Sequence, residues 1–596
     1  MDEVSYFDDL HARQRAVWPA GLPTEPVYPH GEIALADYLR IWARRCPDRV
    51  AIYFYGRTLS FAELDDLSER CAALLAQHGV AAGDRVAVML GNCPQFHIAF
   101  YAILKLGAVY VPVNPLFREE ELAYELDDAD PTCAIVLDQL APLLLSVRPK
   151  TRIRTVFSTG QGEMLPPVPE FPLPPGLGHD VRTVDGTVNL LPAIRACTAR
   201  LSAVHPDLDA VAALNYTGGT TGLPKGCIHT QRDMIYTAAT TYATSGAVDR
   251  GGQPLSDEPE VLLSFLPMFW IAGENLGLLY PIFSGATLVL LARWDPAAVL
   301  QAVERCRVTR TFMVVDNVLE LMAHPDLARH DLRSLQHTRT ASFVRKLNLD
   351  IRRRWFDLTG GTIAEGAWGM TETHTSDTFT VGMQTDDLDL RGRPIFVGLP
   401  MPGTRIKICD FDSGALLPVG EEGEIVVSTP SLFKGYWRQP DASDRALRDG
   451  WFHTGDIGAY DADGYLHFLG RRKEMLKVRG MSVFPPELEV MLSRHEAVLG
   501  SAVVGRPDAD RGQVPVAFVR LRPEFQGRVD ADALQAWCRE HMAIYKVPEV
   551  RIVGELPMTA TGKIRKVELQ TELEAQIRIS PARVYRCDRE HPRRGS

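Results

Sequence analysis

Apolar positions along the chain alternate between two textures. Compact apolar runs at 85–90 (RVAVML), 108–113 (AVYVPV) and 133–137 (CAIVL) predict strands, and the longer periodic stretches between them, at 96–106 and 122–128, predict helices. This βαβ rhythm predicts parallel sheet covered by helices. Runs that are apolar throughout, rather than alternating, suit strands buried on both faces. The longest apolar stretch, 276–292, is interrupted by Pro281, Ser284 and Gly285. It predicts a buried helix followed by a strand, since a membrane span needs about 20 apolar residues. Two segments break the rhythm. Residues 160–180 carry six prolines and predict an extended surface excursion, and 249–260 predict a shorter loop. From Pro400 the texture turns β-rich, with RIKICD, GEIVVS and DADGYLHFLG. A second small unit follows, with strands at SAVVG and VAFVRL, a helix near 531–541 and a basic, polar, solvated tail at 582–596. No internal repeat is visible.

At 596 residues the chain has room for about three to four domain-sized units. Its 46% hydrophobic and 23% charged residues are those of an ordinary soluble protein, which excludes disorder, collagen and coiled coil for the bulk of it. A net charge of −11 supplies no broad basic face for nucleic acid, although a phosphorylated small molecule needs only a local site. The ten cysteines are scattered with no CxxC pair, so reduced and mostly buried thiols are expected rather than zinc or a disulfide framework. The acidic N-terminus lacks the basic start and apolar run of a signal peptide, and a soluble, cytoplasmic protein without a transmembrane segment is the expectation.

The strongest chemical signal is 216–226, YTGGTTGLPKG. Directly after the apolar run AVAALN it sets Thr217, Gly218, Gly219, Thr220, Thr221, Gly222 and Lys225 within eleven residues. Glycines let backbone amides approach an anion closely, hydroxyls add donors, and the lysine adds mobile charge. Such a set fits a polyphosphate. A flexible surface loop would explain the glycines and threonines but not the Pro-Lys-Gly ending, and the spacing is not that of a P-loop NTPase.

This segment is similar to the phosphate loop of the adenylate-forming superfamily, which includes acyl-CoA synthetases, aryl-CoA ligases, luciferases and peptide-synthetase adenylation domains. That family's loop reads YTSGTTGxPKG, so Gly218 in place of Ser is the one departure. Further motifs follow in the family's order. Residues 368–372 (WGMTE) look like the motif whose aromatic ring, here Trp368 followed by Gly369, stacks on adenine, whose Thr371 meets the α-phosphate and whose Glu372 binds Mg²⁺. Residues 450–458 (GWFHTGDIG) resemble the segment whose aspartate, Asp456, accepts the ribose hydroxyls. Residues 470–473 (GRRK) match a ribose-binding arginine, Arg471, and a hinge, Lys473. The stretch from Lys477 to Gly480 (KVRG) resembles the loop that swings in for the second half-reaction, and 557–566 (PMTATGKIRK) matches the motif of the catalytic lysine, Lys563. Residues 103–115 (ILKLGAVYVPVNP) also read like the family. The resemblance covers about residues 35–569.

Singly, each of these residues has a bland reading: Asp456 as a turn residue or cap, Glu372 as a solvated carboxylate, Trp368 as core, Arg471 and Lys473 as a solvated face, Lys563 as the end of a turn. Their joint order carries the functional one. The resemblance implies an α/β protein with a large N-terminal AMP-binding domain, 1–469, made of two helix-covered sheets plus a β-barrel-like subdomain. A small mobile α+β C-terminal domain, 470–596, carries the lysine. It implies a carboxylic acid–CoA ligase using ATP, Mg²⁺ and coenzyme A. The carboxylate attacks the α-phosphate, Lys563 and Mg²⁺ on Glu372 offset the charge that develops, and a thiolate then attacks the acyl adenylate. A homodimer is left open.

Departures gather around the acyl pocket. Residues 267–273 (PMFWIAG) carry Trp270 where the family commonly has His, 314–319 read VVDNVL, and 341–347 (ASFVRKL) replace the usual small-residue adenine loop. Trp270, Gly273, Glu274 and Asp316 are the pocket candidates. A medium- or long-chain fatty acid is the expected substrate. An aryl, polar or cationic acid is the alternative, as is a stand-alone enzyme that loads a carrier protein. Only 33 residues follow Lys563, so no carrier domain is expected in cis. A non-catalytic nucleotide binder is disfavoured because Glu372, Asp456, Arg471 and Lys563 are all present.

Overall fold

The computed structural model describes residues 2–201, 205–217, 223–366, 368–374, 376–391, 395–479, 481–508, 510–559 and 562–579. The chain divides into two compact units: one runs to Ser342 and resumes over Lys346–Leu469, the other holds Phe343–Arg345 and the residues from Gly470 on.

In the first unit the βα rhythm builds two seven-stranded sheets. One sheet orders Val188–Asn189, Thr155–Thr159, Cys133–Leu137, Arg85–Met89, Val109–Pro112, Val211–Tyr216 and Gly226–Thr230, parallel except for the last pair. The other orders Thr362–Glu365, His337–Ala341, Arg310–Val314, Val261–Ser264, Thr287–Leu290, Val50–Phe54 and Arg57–Ser60, parallel except for its closing hairpin. The strands predicted at 85–90, 108–113 and 133–137 lie side by side, with Ala87 in register with Val111 on one side and Ala134 on the other.

The helix Pro94–Leu106 is buried at every residue and belongs to a core shared by strands of both sheets. It starts two residues before the predicted 96–106 because Pro94 is pre-set for a first turn, and it ends at Gly107, φ +70°. Its polar side chains are paired, as burial requires: Gln95 donates to the Gly160 carbonyl at 2.8 Å, and Lys105 donates to Asp65 at 2.5 Å. The helix predicted at 122–128 spans Glu119–Ala129, because Glu119, Glu120 and Glu121 suit the positive end of a first turn.

The Pro-rich stretch 160–180 contains no helix or strand, yet it is not wholly a surface excursion. Met164, Leu165 and Phe171 are buried, and Phe171 packs against the rings of Tyr53 and Tyr55. Its apolar residues pin it to the core between the prolines. The apolar run 276–292 gives a buried helical stretch and the strand Thr287–Leu290, as expected, but the stretch opens with a π-helix, Glu274–Leu279.

The third sheet of this unit is antiparallel and barrel-like, in the order Thr378–Phe379, Ile395–Pro400, Leu466–Arg471, Trp451–Tyr460, Gly423–Ser428, Arg405–Cys409. The N-terminal helix Glu3–Val17 covers it, with Phe7 stacked on Trp451 at 5.8 Å between ring centroids. The second unit is α+β. The antiparallel pair Val498–Asp508 and Gly512–Leu521 forms its centre, Glu549–Ile552 adds a parallel edge, and the helices Pro485–Leu492, Ala531–His541 and Lys566–Ile579 complete it. Among the described residues no helix is long and apolar enough to cross a membrane, and nine free cysteines occur, seven of them buried.

Candidate active site

The strand Val211–Tyr216 and its antiparallel partner Gly226–Thr230 carry the glycine-threonine loop between them. The neck is closed by two hydrogen bonds: Thr217 N–H donates to the Lys225 carbonyl at 3.0 Å, and Lys225 N–H donates to Thr217 Oγ1 at 3.2 Å. Gly218, Gly219, Thr220, Thr221 and Gly222 lie outside the described residues. Tyr216 is anchored from below, its hydroxyl donating to Asp128 at 2.7 Å.

At this neck a cation, a ring and a carboxylate stand in a row. The Lys225 ammonium lies 4.5 Å from the ring centroid of Tyr436, and the Tyr436 hydroxyl donates to Glu372 Oε1 at 2.9 Å. Burial and the Glu372 charge push the phenol well above its ordinary pKa, so it stays a donor. Glu372 sits in the 3₁₀ turn Thr371–Thr373, which ends at His374 in the left-handed region, φ +59°. Mg²⁺ binds through one or two carboxylates plus substrate phosphates and keeps its waters. A single partly exposed carboxylate beside the phosphate loop fits that mode, and among the described residues no group of three or more potential ligands forms a protein cage.

The turn is backed by a buried polar network. His229 donates from Nε2 to the Thr371 carbonyl at 2.8 Å, and its ring lies 4.6 Å from that of His374. Burial lowers the His229 pKa, with Asp233 opposing the shift. His374 Nε2 is 3.4 Å from Glu274, whose other oxygen accepts from Asn215 Nδ2 at 2.6 Å. The phosphate-loop strand, the 371–374 turn and the π-helical segment are thereby tied together.

Trp368 and Asp456 meet directly. The indole N–H donates to Asp456 Oδ2 at 2.9 Å, and both residues are buried. Gly369 lies between this tryptophan and the 371–373 turn. Thr217, Lys225, Trp368, Thr371, Glu372 and Asp456 are therefore all held by the first unit, Asp456 on the strand Trp451–Tyr460 and the others beside or beyond strand ends.

The acyl-pocket candidates are dispersed. The backbone carbonyl of Trp270 accepts from Glu274 N–H at 2.7 Å, opening the helical turn Ile271–Gly273. Gly273 is required there, since a Cβ would stand 2.0 Å from the Pro267 carbonyl oxygen. Glu274 is fully buried against Asn215, and Asp316 lies in the helix Val315–Met322. None of the four lines the cavity bounded by Leu262, Leu266, Leu276, Phe312 and Arg339. Neither 267–273 nor 314–319 contributes to its wall, which takes Leu276, Thr311 and Phe312 from just outside them.

In the second unit Arg471 ends the strand Leu466–Arg471 and Lys473 sits in the 3₁₀ turn Arg472–Glu474, both exposed. Lys477 lies on the strand Leu476–Val478, its ammonium 2.9 Å from Ser482 Oγ, and Gly480 lies outside the described residues. Lys563 is exposed at a tight turn, where Thr559 N–H donates to its carbonyl at 2.7 Å and Gly562 has φ +79°.

Sequence motifs did not reveal Tyr436, His229, His374 or Asn215. Each acts through a partner on a distant segment, and the only local hint is the uncommon placing of polar residues in otherwise buried strands and helices.

Residues 39–437 match the AMP-binding enzyme family, and residues 487–563 match the AMP-binding enzyme C-terminal domain. The long-chain-fatty-acid–CoA ligase of Bacillus subtilis (strain 168) is 32% identical over 571 residues, covering 94% of this chain and 98% of its own. The crystal structure of ATP-bound MatB from Rhodopseudomonas palustris superposes with a TM-score of 0.77 at 27% identity, covering 91% of this chain and 100% of that one. The anthranilate–CoA ligase AuaEII in complex with anthranoyl-AMP superposes with a TM-score of 0.76 at 27% identity, covering 93% and 99%. With the loop neck, Tyr436, the Glu372 turn and Trp368 inside the larger match, this chain belongs to the AMP-binding enzyme family.

Proposed function

We propose that this protein is an AMP-forming acid–CoA ligase. ATP and a carboxylate give an acyl adenylate and diphosphate, and coenzyme A then gives the acyl-CoA and AMP. The observation that carries the reading is the Lys225–Tyr436–Glu372 row at the neck of the phosphate loop. It sets an ammonium over the face of one aromatic ring and a carboxylate at that ring's hydroxyl, a pairing that suits a triphosphate bound with its cation.

In this reading the loop Thr217–Lys225 holds the departing diphosphate with backbone amides, hydroxyls and the lysine. Thr371 meets the α-phosphate. Asp456 accepts the ribose hydroxyls, and the Trp368 indole fixes the carboxylate that does so. Arg471 adds a second ribose contact. Mg²⁺, held by Glu372, supplies charge neutralisation for the phosphates. Lys563 stabilises the charge of the adenylation step, Lys473 is the hinge on which the second unit turns, and the Lys477–Gly480 loop serves thioester formation. The acid has an apolar stem: four leucines and Phe312 are among the residues of a mainly apolar cavity surface, and a relative named for long-chain fatty acids supports the same class. An aryl acid is the second reading, supported by the superposed anthranilate ligase. ATP and coenzyme A as co-substrates favour a cytoplasmic site of action.

The test is ATP–diphosphate exchange with a panel of straight-chain and aryl acids, followed by thioester formation with coenzyme A. Acid-dependent exchange and a CoA thioester are expected. Exchange without a thioester would replace the ligase by an adenylating enzyme that serves another acceptor, and no exchange with any acid would overturn the reading.

A further inference from the structure

The cavity named above, about 30 Å³ in volume, lies against the helix Gln231–Ala243 and the strands Val261–Ser264, Arg310–Val314 and His337–Ala341. Its walls are mainly apolar, yet two arginines enter it. Arg310 is matched: its guanidinium lies 2.8 Å from Glu260, which also accepts from the Tyr280 hydroxyl. Arg339 is not. Its Nη2 donates to the Thr244 carbonyl at 2.7 Å, its Nε is buried without an acceptor, and among the described residues no carboxylate lies within ion-pair distance. Burial, with the neighbouring charge of Arg310, lowers the Arg339 pKa to about 10 although Tyr280 and Glu260 oppose the shift, which still leaves it charged at neutral pH. His337 beside them is held to about 4 by burial and so contributes no charge there. Ser264 also points a buried hydroxyl that has no partner.

A guanidinium without a carboxylate in direct contact or a full set of acceptors is expensive inside a protein. The surroundings indicate what supplies them. The lining strands are parallel to Thr362–Glu365, which runs directly into Gly366 and the Trp368 motif, and Phe312 reaches within 3.9 Å of where a Gly366 Cβ would stand. Thr241, another lining residue, accepts from Asn275 of the π-helical segment at 3.0 Å. The cavity therefore sits beneath the carboxyl ends of the strands that present the candidate active site, where α/β sheets receive their ligands.

We propose that Arg339 receives a second, distal carboxylate on the acid that this enzyme activates, so that the substrate is an apolar-stemmed dicarboxylic acid. The inference rests on the ligase reading. One carboxylate is adenylated. The other ends the stem in the cavity, where it accepts from the Arg339 guanidinium and the Ser264 hydroxyl and supplies the missing charge. A volume of about 30 Å³ admits a small polar terminus rather than a bulky one, with the apolar wall meeting the end of the stem that adjoins it.

The experiment compares kcat/KM for thioester formation between straight-chain monocarboxylic acids and the α,ω-dicarboxylic acids of the same length, over a series of lengths, in the wild type, Arg339→Lys and Arg339→Met. At the best-fitting length the wild type should favour the dicarboxylic acid by at least about tenfold, as a charge-assisted pair allows. Arg339→Lys should keep part of that ratio, and Arg339→Met should bring it to one or below. Because Arg339→Met could fold poorly, the wild type is also tested by thermal shift, where the dicarboxylic acid should raise Tm more than its monocarboxylic match. A wild type that favours monocarboxylic acids, or a ratio indifferent to Arg339→Met, overturns the inference while leaving the ligase reading intact. Absence of acid-dependent ATP–diphosphate exchange with every acid removes the ligase reading, and this inference with it.

Discussion

Tyr436 joins two residues that a motif scan treats as separate. Its ring faces the Lys225 ammonium and its hydroxyl holds Glu372, so the orientation of the carboxylate depends on a phenol 64 positions away in the chain. Tyr436→Phe keeps the ring and removes the hydroxyl. A hydrogen bond to a charged group is worth about 1.5–3 kcal/mol, so kcat/KM for MgATP in the exchange reaction should fall by about 10- to 100-fold. The Mg²⁺ concentration needed for half-maximal rate should rise with it, an effect that loose packing alone would not give. An unchanged Mg²⁺ dependence would reduce Tyr436 to a packing residue. The same distance in sequence hid the Trp368–Asp456 bond. Both residues were legible as members of motifs, but the contact between them spans 88 positions and joins the segment after Thr362–Glu365 to the strand Trp451–Tyr460.

Among the elements, the segment that opens with Ile271–Gly273 is the tightest fit. A Cβ on Gly273 would lie 2.0 Å from the Pro267 carbonyl oxygen, so Gly273→Ala must shift backbone. A loss of about 1–3 kcal/mol in stability is expected, read as a lower urea midpoint, with acid binding weakened further because the segment borders the candidate site. The helix Pro94–Leu106 gives a pH prediction. His97 Nε2 donates to the Gly277 carbonyl at 2.8 Å, and burial holds its pKa to about 4. The unfolded chain binds that proton near 6.5 and the folded one does not, so stability is full above 6.5 and falls as pH drops towards 4. Relative to His97→Gln, the wild type should lose about 2 kcal/mol more on going from pH 7 to pH 5. Equal losses in both proteins would place the acid sensitivity elsewhere. Several elements were legible from the sequence because a single period decided them: the strand Cys133–Leu137 and the helix Ala531–His541 carry the predicted bounds. The π-helix was not, because it follows from how Gly273 and Gly277 let the backbone close on Pro267 and Met268, which no apolar pattern encodes.

For the whole molecule, the division between Leu469 and Gly470 sets the terms of the test. If the second unit serves the two half-reactions in turn, single substitutions should separate them. Lys563→Ala should slow acyl-adenylate formation by at least about 10²–10³ and leave thioester formation from supplied acyl adenylate nearly intact. Lys473→Pro, which restricts a backbone torsion in the turn Arg472–Glu474, should keep ATP–diphosphate exchange and lose thioester synthesis. Normal turnover of the complete reaction by Lys473→Pro would rule out a hinge at that residue. The order of the motifs is what suggested this division of labour. The N-terminal helix Glu3–Val17 gave no such notice, because its role is to cover the antiparallel sheet through Tyr6, Phe7 and Leu10, far along the chain. The helix Pro94–Leu106, closed off at every residue, has a kinetic consequence. Its amide protons can trade with solvent deuterium only when the first unit opens as a whole, because local fraying has no exposed face from which to start. Any molecule that binds the closed form slows that opening in proportion to its occupancy. Deuterium uptake by this one helix thus becomes a binding assay for nucleotide and acid alike, read at residues that neither ligand needs to touch.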